Sequence, residues 1–367
     1  MICLKRKGKY LNLIKIFTAA VLLSTAVFCV LHRLPECFGS QNPAALAAAA
    51  FTLANGEYKL ENNEPLKNTQ PSTAVKNQEK AKEDKTVNTA KSKKRDKSDY
   101  YDSYAEHKDE AKYDIEERTI TGDGTAVENC FIRNKTGLSL DFNGLLNEEL
   151  TFDIEKGINS PQVLIYHTHT SEAYMDEDVN YFFDSFYSRT DNNDFNVVAV
   201  GDAIAEALNK KGIKTIHDKT VHDTSYNGSY DRSVQTIENN MEKYKDIKVV
   251  LDIHRDAIGT DECKVKPVFS YNGRKGAQIM ILSGCDTDGE RGFENWQNNL
   301  NFALKIQNTA ENMYPNMTRP ISFDYFAYNE YVCDGSLLIE VGTEANSIDE
   351  AVYAGELLGN VLSKVLT

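Results

Sequence analysis

The stretch QVLIYHTHTSEAY, residues 162–174, sets a short apolar run directly before two histidines and a glutamate. An apolar run this short, bounded by polar chain, reads as a buried strand, because a helix needs a longer periodic segment. The turn after it, HTHTSE, collects side chains that bind metals. The stretch therefore reads as a strand whose carboxyl end carries chemistry.

Outward from that strand, the chain alternates two periodicities. Asp194 or Asn196 caps FNVVAVGDAIAEALNKKG (195–212), where Val198, Ile204, Ala205 and Leu208 recur at helical spacing before Gly212 stops the helix. A strand at 213–217, a helix at 232–244 and a second apolar strand, KVVLDIH (248–254), follow. Next come a strand at 277–283 and an amphipathic helix at 294–314, stopped by Pro315. SLLIEVG (336–342) is the last strand, and the terminal helix opens at Ser347 with Glu350 at the capping-box position. Upstream, residues 129–154 read as short strands and turns.

This alternation predicts an α/β fold, a mostly parallel twisted sheet flanked by helices, with sites just beyond the strand carboxyl ends. Three such ends carry His169, His254 and Glu340.

A catalytic zinc takes about three protein ligands from His, Glu and Asp and keeps one position open. His169 and Glu172 lie three residues apart in the first turn, and His254 ends a separate strand. Together they make a His, Glu, His metal set. Glu340 sits between Ile339 and Val341, where an ionised carboxylate is costly unless it is paired or close to a metal. That position predicts a general base acting on water. His167 shares the HxH spacing and is a competing ligand, but His169 lies past the strand and nearer Glu172. Asp252, on the strand face of His254, either orients that ring or makes an ordinary hydrogen bond. Arg255 and Asp256 either line the cleft or pair with each other, while His217 and His222 read as structural or solvated.

Other chemistries find no footing. There is no GxSxG elbow, no phosphate-cradling P-loop and no GxGxxG fingerprint after a strand. With 41 Lys and Arg against 55 Asp and Glu, the net charge of -14 argues against a nucleic-acid surface. The seven cysteines are scattered without a CxxC pair, and a bridge among the last four stays open.

The amino-terminal third has a different composition. KRKGKY precedes an uninterrupted apolar stretch, residues 16–31, of borderline length for a membrane-spanning helix, and the basic flank predicts a cytoplasmic tip. Residues 57–118 are rich in charged and amide side chains and almost free of large aliphatics, so they read as a disordered, solvated tether. The expected organisation is a tip and single-pass anchor at 1–34, a charged low-complexity linker at 35–118 and a catalytic domain at 119–367. Cleavage of the first segment as a signal peptide is the alternative to an anchor.

Three motifs, IYHTHTSEAY, LDIHRDA and LLIEVGTEAN, resemble the stage II sporulation protein P family, related to the zinc-dependent N-acetylmuramoyl-L-alanine amidases. The resemblance covers roughly residues 129–367 and extends loosely to RNKTGLSLDFNGLLNEELTF. It implies a zinc amidase-like fold with zinc on His169, Glu172 and His254 and with Glu340 as the catalytic carboxylate. The common amidases have a glycine-rich turn after the first histidine and a more distant glutamate, whereas here only Thr170 and Ser171 intervene. The implied activity is cleavage of the amide between N-acetylmuramic acid and L-alanine of the stem peptide during engulfment. Cleavage of stem-peptide cross-links, or wall binding without catalysis, are the alternatives. The implied partners are peptidoglycan, the membrane, and the stage II D and M families, with the catalytic domain facing the cell wall.

Overall fold

Two central strands alternate so that one row of side chains is aliphatic and the other ends in polar groups. In chain order the strands are β1 (Lys112–Arg118), β2 (Thr125–Val127), β3 (Cys130–Asn134), β4 (Val163–Tyr166), β5 (Tyr181–Phe183), β6 (Thr215–His217), β7 (Val249–Asp256), β8 (Cys263–Tyr271), β9 (Arg274–Ala277), β10 (Ile279–Gly284), β11 (Ile321–Asp324) and β12 (Gly335–Thr343). The helices are α1 (Phe142–Asn147), α2 (Val197–Lys210), α3 (Ser229–Lys243), α4 (Trp296–Met313) and α5 (Ile348–Val365). These elements come from a computed structural model that describes His107 and residues 109–367. The expected anchor and most of the expected tether lie outside the described residues. Among the described residues no helix is long and apolar enough to cross a membrane.

The main sheet runs β2-β3-β11-β10-β12-β7-β4-β6, and a second sheet runs β5-β1-β8-β9. Strands β12, β7, β4 and β6 are mutually parallel, but β10 is antiparallel to β12 and β2 to β3. The second sheet combines one parallel pairing with two antiparallel ones. The architecture is mixed α/β, which corrects the expectation of a mostly parallel sheet. An apolar run announces a strand without its direction, and the short β8–β9 hairpin has no helical crossover to enforce parallel pairing.

Val249, Leu251 and Ile253 of β7 and Leu337, Ile339 and Val341 of β12 are fully or almost fully buried in the large core, which also takes Val200, Ile204 and Leu208 of α2 and Leu358, Val361 and Leu362 of α5. Each such aliphatic side chain contributes on the order of 1.5–3 kcal/mol relative to exposure. A smaller core on the other face joins Leu164, Tyr166 and Val250 to Ile237 of α3. Asp252, His254 and Glu340 belong by alternation to that second face.

The predicted helix signals act as expected. The Asn196 side chain accepts from Val198 N at the start of α2, and Gly212 stands just beyond its end with φ of 84°. Ser347 and Glu350 form a reciprocal capping box at the start of α5, a cap of about 1 kcal/mol. Residues 112–118, expected within the linker, form β1 and pair with β8 and β5. Their polar composition hid this, because Ile115 alone on β1 is buried. The described cysteines, Cys130, Cys263, Cys285 and Cys333, are all free thiols.

Candidate functional site

The turn after β4 closes by a bond from Glu172 N to His169 O of 3.1 Å, which brings both side chains to the carboxyl end of the strand. Arg255 holds the turn. Arg255 N donates to Glu172 Oε2 at 3.2 Å, and the Arg255 guanidinium donates to Ala173 O and Ser188 O. Arg255 thus pins the segment carrying Glu172. Asp256 turns away and pairs with Arg319 at 2.7 Å, so the two residues of the HRDA motif do not pair with each other.

His254 is buried beside the turn. Its Nδ1 lies 3.3 Å from Glu172 Oε2, its Nε2 lies 2.9 Å from Asp252 Oδ1, and its ring meets that of His169 edge-on at 5.3 Å. Asp252 also accepts from Thr168 N at 2.8 Å and Thr168 Oγ1 at 2.6 Å. It is therefore the common anchor of β7 and the turn. Glu340 pairs in register with His254 across the parallel β7/β12 ladder. Side chains at matched positions of neighbouring strands project to the same face, so the carboxylate and the imidazole are lateral neighbours.

The electrostatics sort these groups. Burial lowers the His169 pKa to about 4, leaving a neutral ring at ordinary pH. Burial opposes charge on Glu172, but Arg255, His254 and His169 together overcome it and hold the carboxyl well below its usual range. Burial likewise opposes charge on His254, and the Asp252 and Glu172 carboxylates outweigh it, raising that pKa well above the ordinary histidine value. The pocket thus favours a cation between Glu172 and Asp252. Glu340 is raised to about 8 by burial and by the Asp256 carboxylate.

His167 is committed elsewhere. Its Nδ1 lies 2.8 Å from Ile253 O and its Nε2 2.8 Å from His217 Nε2, while His217 Nδ1 faces Asp202 Oδ1 at 2.9 Å. The carbonyl only accepts, so His167 Nδ1 donates to it, while its Nε2 is engaged by His217, which also faces Asp202. Both ring nitrogens of His167 are thus already engaged. Gly201 of α2 makes room for this chain, since a Cβ there would lie 2.5 Å from His217 Nε2. His222 is equally engaged, with His167 O at 2.7 Å and Thr236 Oγ1 at 2.8 Å.

The donor set suits zinc. His169 Nδ1, His254 Nε2 and Glu340 Oε2 are buried without a well-aligned hydrogen-bond partner, and buried polar atoms are otherwise almost always paired. Even so, His169, Glu172 and His254 do not bring one ligand atom each within 4.8 Å of one another. Among the described residues the one cluster that does so is Glu117, Asp178 and Glu350. That cluster is filled by ammonium groups: Lys275 Nζ lies 2.9 Å from Glu117 and 2.5 Å from Asp178, and Lys266 Nζ contacts Asp178.

The model of the family "Stage II sporulation protein P" matches residues 36–363. The chain belongs to the stage II sporulation protein P family. The stage II sporulation protein P of Bacillus subtilis (strain 168) is 26% identical over 222 residues, 55% of this chain and 50% of that protein. The chain thus spans about half the length of the curated relative it matches. Among solved structures, the CwlD amidase of Clostridioides difficile in complex with the GerS lipoprotein has a TM-score of 0.33 at 14% identity, covering 56% of this chain and 98% of that one. N-acetylmuramoyl-L-alanine amidase AmiC2 of Nostoc punctiforme has a TM-score of 0.31 at 10% identity, covering 56% and 94%. Likeness at that level says nothing about what this chain does.

In this stage II sporulation protein P family member, several groups around the turn escape sequence reasoning. Arg189 Nη1 pairs with Asp223 at 2.8 Å while Nη2 lies 3.9 Å from Glu172, and Asp223 also receives Ser171 N and Oγ. Tyr226 stacks on His169 with centroids 4.7 Å apart and planes 5° apart. All three lie in irregular loops, where no periodicity marks a side chain's direction. A lone arginine, aspartate and tyrosine offered no other signal.

Proposed function

We propose that this chain is a peptidoglycan hydrolase that cleaves the N-acetylmuramoyl-L-alanine amide during sporulation engulfment. The observation that supports the reading is the register match of His254 and Glu340 on neighbouring parallel strands, together with the unpartnered, buried Oε2 of Glu340. His169, Glu172 and His254 are the residues that would hold zinc. When bound, zinc supplies a Lewis acid and favours deprotonation of water.

The chain's own groups do the rest. Glu340, ionised beside the bound cation, would take a proton from the attacking water at its free Oε2 and return it to the leaving amine. Asp252 fixes the His254 ring, and Arg255 fixes Glu172. Burial of these groups keeps bulk water from competing with the hydrogen bonds that orient them. In the same proposal, residues 16–31 hold the protein in the membrane with the catalytic part toward the wall, and the segment up to β1 gives it reach. The stage II D and M families are the proposed partners.

The test is digestion of purified peptidoglycan by the full chain, with and without a chelator, followed by mass spectrometry of the soluble products. Free stem peptides beginning at L-alanine, lost on chelation, are the expected result. Split cross-links with intact muramoyl amides would replace the amidase reading by an endopeptidase. No release by folded, metal-loaded protein would remove both.

A further inference from the structure

A row of aromatic rings leads out of the site from His169. Tyr226 stacks on that imidazole, and Tyr230 meets it edge-on at 5.9 Å. Tyr230 stacks on Tyr328 at 5.2 Å, and Tyr328 packs on Phe326 at 4.6 Å. The row reaches solvent at Tyr226, which is 55% exposed.

The backbone that presents this row is strained. Tyr328 has φ of 38° and Asn329 φ of 60°, and a bulky side chain in the left-handed region persists only where surrounding contacts hold it. Those contacts run back to the site. Asn329 Nδ2 donates to Tyr230 O at 3.2 Å and to Ser233 Oγ at 3.1 Å. Ser233 Oγ lies 2.8 Å from Thr168 Oγ1, which donates to Asp252 Oδ2, and the Oδ1 of the same carboxylate lies against His254. Nothing in the metal set or in proton transfer needs Tyr328 in this shape.

We infer that this row is a sugar subsite, on which a pyranose ring of the glycan strand lays its C–H face. The inference rests on the proposed hydrolase reading and deepens it. A stem peptide presents small and charged residues with no broad apolar face to match flat rings. A pyranose presents a flat apolar face edged by polar hydroxyl and amide groups, which suits an exposed aromatic ring such as Tyr226. Tyr226, which touches both His169 and solvent, is the residue that sets the sugar next to the scissile amide.

The experiment is titration calorimetry of the full chain with peptide-free glycan strands, run beside the peptidoglycan digestion. Wild type is expected to bind the denuded strand. Tyr226→Ala should bind it about tenfold more weakly and Tyr226→Phe within about twofold of wild type. Wild type that digests peptidoglycan yet fails to bind denuded glycan, or a Tyr226→Ala variant that binds as wild type does, would overturn the subsite and leave the hydrolase standing. Glycan binding that follows this pattern in a protein that digests nothing would support the subsite and remove the hydrolase.

Discussion

Two clusters of acids lie in this fold, and they are finished differently. Around Glu117, Asp178 and Glu350 the carboxylates converge, and Lys266 and Lys275 meet them; even Glu350 Oε1, which lacks a hydrogen bond, has both ammonium groups 3.8 Å away. Around Glu172, Asp252 and Glu340 the carboxylates face histidines, and His169 Nδ1 and Glu340 Oε2 stay without partners. The first cluster closes on itself and reads as structure. The second keeps spare valence in a buried place, where an unmet polar atom costs on the order of 1–3 kcal/mol. Crowding of acids is thus a poorer sign of chemistry than an unfinished hydrogen-bond account.

The comparison breaks most sharply at Glu340. Glu340→Gln should lower stem-peptide release by about 10²–10⁴-fold while zinc binding, followed by calorimetry, stays within a few-fold. A variant that digests peptidoglycan like wild type would end the proposed role. His254→Ala should lose zinc binding and release together. Asp252→Asn keeps the ligands but loosens one, so zinc affinity should fall about 10- to 100-fold; unchanged affinity would show that Asp252 serves the fold alone.

The closed cluster should answer in the opposite way. Lys266→Met leaves Lys275 to neutralise the acids, so unfolding stability should drop by about 1–3 kcal/mol, with zinc affinity untouched. A loss of zinc binding there would mean the two clusters are coupled.

The remaining expected effect is a pH slope. A folded pKa of about 8 for Glu340 exceeds its unfolded value near 4.5, so the folded state holds more protons between those limits. In chelated protein this carboxyl makes stability fall as pH rises from about 4.5 to about 8. Glu340→Gln should remove that part of the slope in thermal melts, and identical slopes in both proteins would contradict the buried state of this carboxyl.

The same contrast explains what could be read in advance. The residues proposed for the site, His169, Glu172, His254 and Glu340, stand out in the sequence because each follows or interrupts an apolar run, where a polar side chain is conspicuous. Helices α2 and α5 were legible through their Asn196 and Ser347 caps. The second sheet was not, since β1 pairs with β8 about 150 residues later, as in Ile115 with Lys264, and its polar faces carry no periodic signal. The direction of β10 was hidden for a related reason, because nothing local to AQIMILS distinguishes parallel from antiparallel pairing. Tyr226, Arg189 and Asp223 reach the site only through loop shape, which no spacing rule encodes.

The register of β7 and β12 has a consequence for how this gene can vary. His254 and Glu340 face each other because Gly335 pairs with Val249 and every later position follows in step to Glu340. Inserting or deleting a single codon between Gly335 and Glu340 would turn the carboxylate to the aliphatic face and bring Ile339 or Val341 opposite His254. Length changes in the loop at residues 285–294 carry no such penalty, because no strand pairing runs through it. The reading frame of one short strand is therefore a stricter constraint on this protein than the length of its loops.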